Sequence, residues 1–233
     1  MIHILQHHDC EGPAYLATLL QERGLEWQCV RADRGLLPGE MEQCSGLVIL
    51  GGPQSVNRTD RFPWMRREIE FVRLAIDRGL PVLGICLGAQ VVAAACGMQV
   101  VNCDYREIGW FPVQRSGAGA ESAYFANVPE QFTCFHWHGE QILPHEDLPA
   151  LAATEVTPCQ ALAPQPRVLA LQFHLEVTEE AIRGMASAFS DELADEMIGL
   201  DSLLWDLPQQ LAESQRLARA VIGPWLDVVA AGN

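Results

Sequence analysis

The sequence predicts an α/β fold, an open and mainly parallel central sheet flanked by helices, with a helical stretch at its C-terminal end. Three observations carry this expectation. Short apolar runs alternate with amphipathic stretches from Ile2 to about residue 97, the order that builds parallel sheets through right-handed crossovers. An apolar run, Pro81 to Ile85, passes through a glycine-flanked turn into an alanine-rich, helix-forming segment. From Thr178 onward the periodicity is helical. At 233 residues the chain is long enough to bury a full core.

Each element follows from its pattern. Ile2 to Gln6 reads as the first strand, and Glu11 to Arg23 as a helix with Tyr15, Leu16, Leu19 and Leu20 on its apolar side. Glu26 to Arg31 is a second strand, and Gly46 to Leu50 a third that runs into Gly51-Gly52-Pro53. Pro63 to Arg78 has helical spacing, with Met65, Ile69, Val72, Leu74 and Ile76 as apolar positions and Gly79 as its stop. After Gly97 the pieces shorten: Met98 to Asn102, Ile108 to Gln114 and Gln131 to Trp137 suit a local antiparallel layer. Val168 to Phe173 is a strongly apolar strand. Glu179 to Phe189 is a helix capped by Thr178, and Leu207 to Val229 a longer helical pattern interrupted near Gly223-Pro224. We divide the chain into a domain over 1–190 and a helical extension over 191–233 packed on it.

Composition excludes several classes of function. A net charge of −15 without any basic stripe argues against a nucleic-acid partner, which must neutralise phosphates. Residues 81–101 are apolar enough to resemble a membrane span, but Pro81, Gln90, Gln99 and interior glycines point to a buried strand and helix, so no membrane partner is expected. The eight cysteines are scattered and include no C-x-x-C pair, which suits reduced thiols. The N-terminal MIHILQHH lacks the basic segment and long apolar run of a secretory signal, so a cytoplasmic location is expected. His7, His8, Asp9 and Cys10 invite a metal, yet no second cluster with ligand spacing accompanies them, and neither metal nor cofactor is expected.

The residues that carry chemistry sit at strand ends. Gly84-Ile85-Cys86-Leu87-Gly88 has the spacing of a nucleophile elbow, in which small flanking residues let a strained turn project one reactive side chain. A helix N-terminus and a nearby imidazolium would both lower the Cys86 pKa. Glycines 51 and 52 end the preceding strand, where a backbone N–H could face a developing oxyanion. His174 and Glu176 lie two apart at the end of an apolar strand, so one face can hold imidazole and carboxylate together. His136 and His138, in FHWHGE, read either as satisfied structural histidines or as a pocket wall.

Taken together, ILGGPQSV (49–56), GICLGAQ (84–90) and QFHLE (172–176) resemble the class I, or triad, glutamine amidotransferases in order and spacing over roughly residues 1–190. HHDCEGP (7–13), NRTDRFPW (57–64), REIGW (106–110) and FHWHGE (135–140) are similar to the stand-alone subgroup that resembles the glutaminase domain of GMP synthase. The resemblance implies a flavodoxin-like fold. It implies that Cys86 attacks the γ-amide of glutamine to form a γ-glutamyl thioester, that His174 carries the proton, and that Glu176 orients it. It places the oxyanion hole at Gly52 and Leu87, and substrate contacts at Gly51, Gln90, Trp137 and His138. Leu175 stands where many members have proline, from which altered rigidity rather than lost chemistry is expected. The chain has no phosphate-binding loop with which to activate an ammonia acceptor, so a synthetase would be a separate subunit. Two alternatives stay open: a stand-alone γ-glutamyl peptidase, for which the same thioester serves, and a non-catalytic regulatory or binding module.

Overall fold

A computed structural model describes residues 1–39 and 41–232. Strand and helix alternate through β1 (Ile2–Gln6), α1 (Ala14–Glu22), β2 (Trp27–Arg31), β3 (Gly46–Ile49), α2 (Trp64–Asp77), β4 (Val82–Ile85) and α3 (Leu87–Ala95). There follow β5 (Val100–Arg115), α4 (Gly117–Glu121), β6 (Gln131–Ile142), β7 (Ala152–Ala153), β8 (Ala161–Gln165) and β9 (Val168–Leu171). The chain ends with α5 (Glu179–Ala188), α6 (Ser190–Asp195), α7 (Leu200–Leu203) and α8 (Leu207–Ala231). Among the described residues the strands form one sheet in the order β2-β1-β3-β4-β9-β8-β7-β5-β6. The first five strands of that order are parallel, and the pairings from β9 outward are antiparallel.

Alternation along the parallel strands feeds two cores. Ile4, Val48, Leu83 and Leu169 lie in register across the sheet and bury one face against Leu16 and Leu20 of α1 and Leu217, Val221 and Trp225 of α8. Their neighbours Leu5, Ile49, Val82 and Val168 bury the other face against Met65 and Val72 of α2 and Val91 and Val92 of α3. With both faces covered, the strands can be apolar at every position, which explains the continuous runs in the sequence. A third cluster joins Ile108, Phe135 and Trp137 of the antiparallel half to Ile182 and Met185 of α5 and Leu193 of α6.

Several expectations are corrected. The first helix begins at Ala14 rather than Glu11, because Glu11 turns inward and the helix N-terminus is tied to the β9 loop through a Tyr15 N–H to Glu176 carbonyl bond of 2.8 Å. On α2, Leu74 is exposed and Glu68 is buried, since Glu68 pairs with His7 across the core at 2.8 Å. Of the expected Met98 to Asn102 strand, Val100 to Asn102 join Ile108 to Gln114 in one strand, β5, whose pairing with β6 is irregular between Asn102 and Glu107, while Met98 and Gln99 precede it. That antiparallel part continues the parallel sheet through β8 instead of forming a separate layer. The last helix is not interrupted at Gly223-Pro224. Pro224 forfeits one backbone bond, but Gly223 and Trp225 are buried there, and packing holds α8 continuous.

The segment expected as an extension from residue 191 supplies most of α6 together with α7 and α8; its last residue, Asn233, lies outside the described residues. Residues 81–101 form β4, α3 and the start of β5, and among the described residues no helix is long and apolar enough to cross a membrane.

Candidate active site

Parallel strands bring their C-terminal ends to one edge of the sheet, and the loops there carry His7 after β1, Gly51 and Gly52 after β3, Cys86 after β4 and His174 after β9. Cys86 has φ 52° and ψ −109°, a backbone conformation unfavourable for a side chain with a Cβ. Its neighbours enforce it. A Cβ on Gly84 would lie 2.4 Å from the Gly88 carbonyl oxygen, and one on Gly88 would lie 2.0 Å from the Ile49 carbonyl oxygen, so α3 packs against the sheet only because both are glycine. A Cys86 N–H to Leu171 carbonyl bond of 2.8 Å ties the turn to β9.

His174 is fixed through its backbone, donating to the Phe135 carbonyl at 2.8 Å, and through its ring, whose Nδ1 lies 2.7 Å from Glu176 Oε1. Both partners are buried, although residues 172–176 lie beyond the strand expected to align them. With Nδ1–H directed at the carboxylate, Nε2 is left to exchange a proton, and it is buried without a hydrogen-bond partner. Burial works most strongly against a charged ring, but Glu176 and Cys86 together outweigh it and hold the His174 pKa well above its usual value. The expected depression of the Cys86 pKa is corrected: burial pushes the thiol up, and the neighbouring His174 ring only partly offsets this. At rest Cys86 favours the protonated thiol, beside a ring that favours holding a proton of its own.

The cleft beside Cys86 has a volume of about 790 Å³. Gly52 and Leu87 both line it, and a Cβ on Gly52 would lie 3.0 Å from the Leu87 side chain. Leu87 is the first residue of α3, where a backbone N–H has no intrahelical acceptor. Gln90, Trp137 and His138 also line the cleft. Gly51 does not; it is wedged behind, where a Cβ would meet Glu11 Oε2 at 2.0 Å and His174 Cε1 at 3.2 Å.

Sequence reasoning missed several groups. Glu11 lines the cleft, and burial, together with the charges of Glu176 and Glu192, raises its pKa to about 7 against the opposing pull of His174 and His7. Gln172 places Nε2 3.8 Å from the Cys86 sulfur. Glu140 accepts a 2.7 Å bond from Ser55 Oγ at the cleft wall, and Glu192 accepts a 3.0 Å bond from Trp137 Nε1. Glu11, Gln172 and Glu140 stand inside the quoted motifs and were within reach of a closer reading; Glu192 sits in an unremarkable helix and gave no signal.

The N-terminal histidines do not gather round a metal. His7 turns to Glu68, His8 Nδ1 lies 2.9 Å from Cys10 Sγ, and Asp9 pairs with Arg31. The described residues that could hold one are Glu107, His136 and His138, buried and with ligand atoms within 4.8 Å of one another. These atoms already have protein partners: His138 Nε2 lies 3.2 Å from Glu107 Oε2, which accepts a 2.7 Å bond from Gln160.

Residues 10–187 match the family model for class-I glutamine amidotransferases. The chain is 30% identical over 199 residues to the glutamine amidotransferase-like protein YfeJ of Salmonella typhimurium, covering 83% of each. It is 33% identical over 135 residues to the glutamine-hydrolyzing GMP synthase of Vibrio atlanticus, an overlap of 57% of this chain and only 24% of that protein. Among solved structures, a glutamine amidotransferase from Methylobacillus flagellatus shares the fold with a TM-score of 0.88 at 27% identity, over 97% of this chain and 94% of that one. One from Thermotoga maritima gives 0.88 at 23% identity, over 98% and 97%.

Proposed function

Since the chain belongs to the class-I glutamine amidotransferase family, we propose that it hydrolyses the γ-amide of glutamine through a thioester on Cys86 and supplies the ammonia to a separate synthetase. The observation that carries this reading is the strained Cys86 at the start of α3, electrostatically coupled to a His174 that Glu176 holds at 2.7 Å. In the first step the thiol proton passes to His174 Nε2 and the sulfur attacks the amide carbon. The oxyanion that forms is met by the N–H groups of Gly52 and Leu87, each worth roughly 3 kcal/mol at the transition state. The C–N bond then breaks as His174 returns the proton to nitrogen, and ammonia leaves. Water attacks the thioester, giving its proton to His174; the C–S bond breaks, glutamate leaves, and the thiol is restored.

The cleft offers both signs of charge that an α-amino acid requires, with Glu140 and Glu11 for an ammonium and Arg58, Arg61 and Arg106 for a carboxylate. Location in the cytoplasm, where free thiols persist, suits this chemistry. The test is ammonia release by the purified chain with glutamine, alongside Cys86→Ala. Cys86-dependent release is expected, and release that survives the substitution overturns the assignment.

A second reading is favoured by one observation. The 790 Å³ cleft runs from Cys86 out to Arg58, Asn102 and Arg106, well beyond the room a free amino acid fills. That space suits a γ-glutamyl peptide, whose leaving group is an amine larger than ammonia. Rapid cleavage of γ-glutamyl peptides with slow glutamine turnover would select this reading over the first.

A further inference from the structure

The elbow and triad leave one question of charge unanswered: what stabilises a thiolate at Cys86. In the resting state Sγ donates to the Trp137 carbonyl at 3.4 Å, a contact that favours the protonated thiol and opposes its ionisation. Titratable groups face the sulfur from several sides. His174 at the end of β9 favours the thiolate, whereas Glu11 before α1 and Glu176 beyond β9 disfavour it. His138 and Glu140 of β6 line the same cleft. A neutral donor aimed at the sulfur would therefore matter, and Gln172, fully buried, directs its Nε2 at Sγ from 3.8 Å.

An amide aimed this way is useful only if it cannot flip, because its oxygen would oppose ionisation as the Trp137 carbonyl does. The surrounding hydrogen bonds fix it. Gln90 Nε2 donates to the Glu140 carbonyl at 3.4 Å, and a carbonyl only accepts, so the Gln90 nitrogen must point that way. The same nitrogen donates to Gln172 Oε1 at 3.3 Å, which leaves the Gln172 nitrogen facing sulfur. The Glu140 carbonyl is itself held by His138 Nδ1 at 3.1 Å, and His138 Nε2 is held by Glu107 at 3.2 Å. The Glu140 carbonyl can only accept, so it alone sets the direction of the two bonds that run from Gln90 to Gln172 and from Gln172 to Cys86.

We propose that Gln172 is a further catalytic residue, donating a hydrogen bond to the Cys86 thiolate, and that Gln90, anchored on the Glu140 carbonyl, is a positioning residue that holds its amide in the donating orientation. The proposal rests on Cys86 being the nucleophile. A hydrogen bond to a charged acceptor is stronger than one to a neutral group, so the interaction grows as the thiol ionises. His174 takes the proton, and Gln172 steadies the charge left behind.

The test is the pH dependence of Cys86 alkylation by iodoacetamide, followed on the Cys86 peptide by mass spectrometry, in the full chain and in Gln172→Met, which keeps volume and removes the donor. We expect the alkylation curve to move to higher pH and the rate at neutral pH to fall about tenfold. Gln90→Met should move it in the same direction by less, because Gln172 keeps its donor but loses the bond that orients it. If Gln172→Met fails to fold, the Gln90→Met shift alone decides. An unmoved curve in a folded variant, with the wild-type Cys86 selectively alkylated, overturns the proposal and leaves the Cys86 assignment standing. Ammonia release that survives Cys86→Ala overturns the assignment itself, so the two failures are distinguishable.

Discussion

The two halves of the sheet build the site by different means. In the parallel half each reactive group is delivered by a local unit, a strand followed by a turn, and the sheet needs only to align strand ends: His7, Gly52, Cys86 and His174 all leave the same edge. In the antiparallel half the wall of the cleft is made by pairing across a long ladder, which sets Glu107 on β5 directly opposite His138 on β6. The first half therefore tolerates almost no change at its turns, whereas the second depends on a network of side chains. Cys86 and His174 belong to the rigid half, and the groups around them are shared with the adjustable one.

The largest expected effect tests the rigid half. Glu176→Gln should leave the fold intact and lower ammonia release by roughly a thousandfold to ten-thousandfold, because the neutral amide no longer favours the proton-bearing ring in the orientation that leaves Nε2 free. A loss below tenfold, measured as kcat with glutamine, would remove Glu176 from the mechanism. Gly88→Ala comes next. Its Cβ would lie 2.0 Å from the Ile49 carbonyl oxygen, and since backbone cannot swing aside, α3 must shift; we expect a loss of about 3 kcal/mol or more in chemical denaturation.

What was legible in the sequence follows the same division. The alternation of apolar runs, the elbow and the histidine–glutamate end could be read because each is contiguous and its geometry is local. The thiol's pKa could not, because the helix N-terminus is visible in sequence while burial is a property of the assembled cleft. Leu74, expected on the apolar face, is exposed for a similar reason: helical spacing ranks apolar residues, but on this helix the Glu68 carboxylate turned inward to meet a histidine sixty-one positions away. Gln172 was in plain view inside QFHLE, yet its amide gains meaning only from Gln90 and from Glu140, on another strand.

Glu11, buried at the cleft beside His174 and Glu176, gives a pH-dependent test. Its folded pKa of about 7 lies above the ordinary carboxyl value of 4.5, so the native state binds the extra proton between those limits. Stability from this group is complete below pH 4.5 and is lost as pH rises through 7. His7 and His174, both raised, act in the same sense. Glu11→Gln should flatten the decline between pH 5 and 8, recovering on the order of 3 kcal/mol at the alkaline end. Denaturation midpoints that fall equally in both proteins would show that the carboxyl does not carry the proton.

The smallest effect is the sharpest test of the contrast between halves. Gly139 also lies at the cleft, in β6, but the atoms nearest a Cβ there all belong to Arg106, with Cγ at 3.2 Å, Nε at 3.4 Å and Cδ at 3.6 Å. That side chain is 40% exposed, pairs with Glu192 and Glu196 near the surface, and can move by a few tenths of an ångström without disturbing backbone. Gly139 is also outside the left-handed region, so no strain follows from its φ. Gly139→Ala should cost less than about 1 kcal/mol, the range for a partly exposed ion pair that must readjust. Equal losses from Gly88→Ala and Gly139→Ala would mean that the antiparallel wall is as unyielding as the elbow, and the division of labour between the two halves would fail.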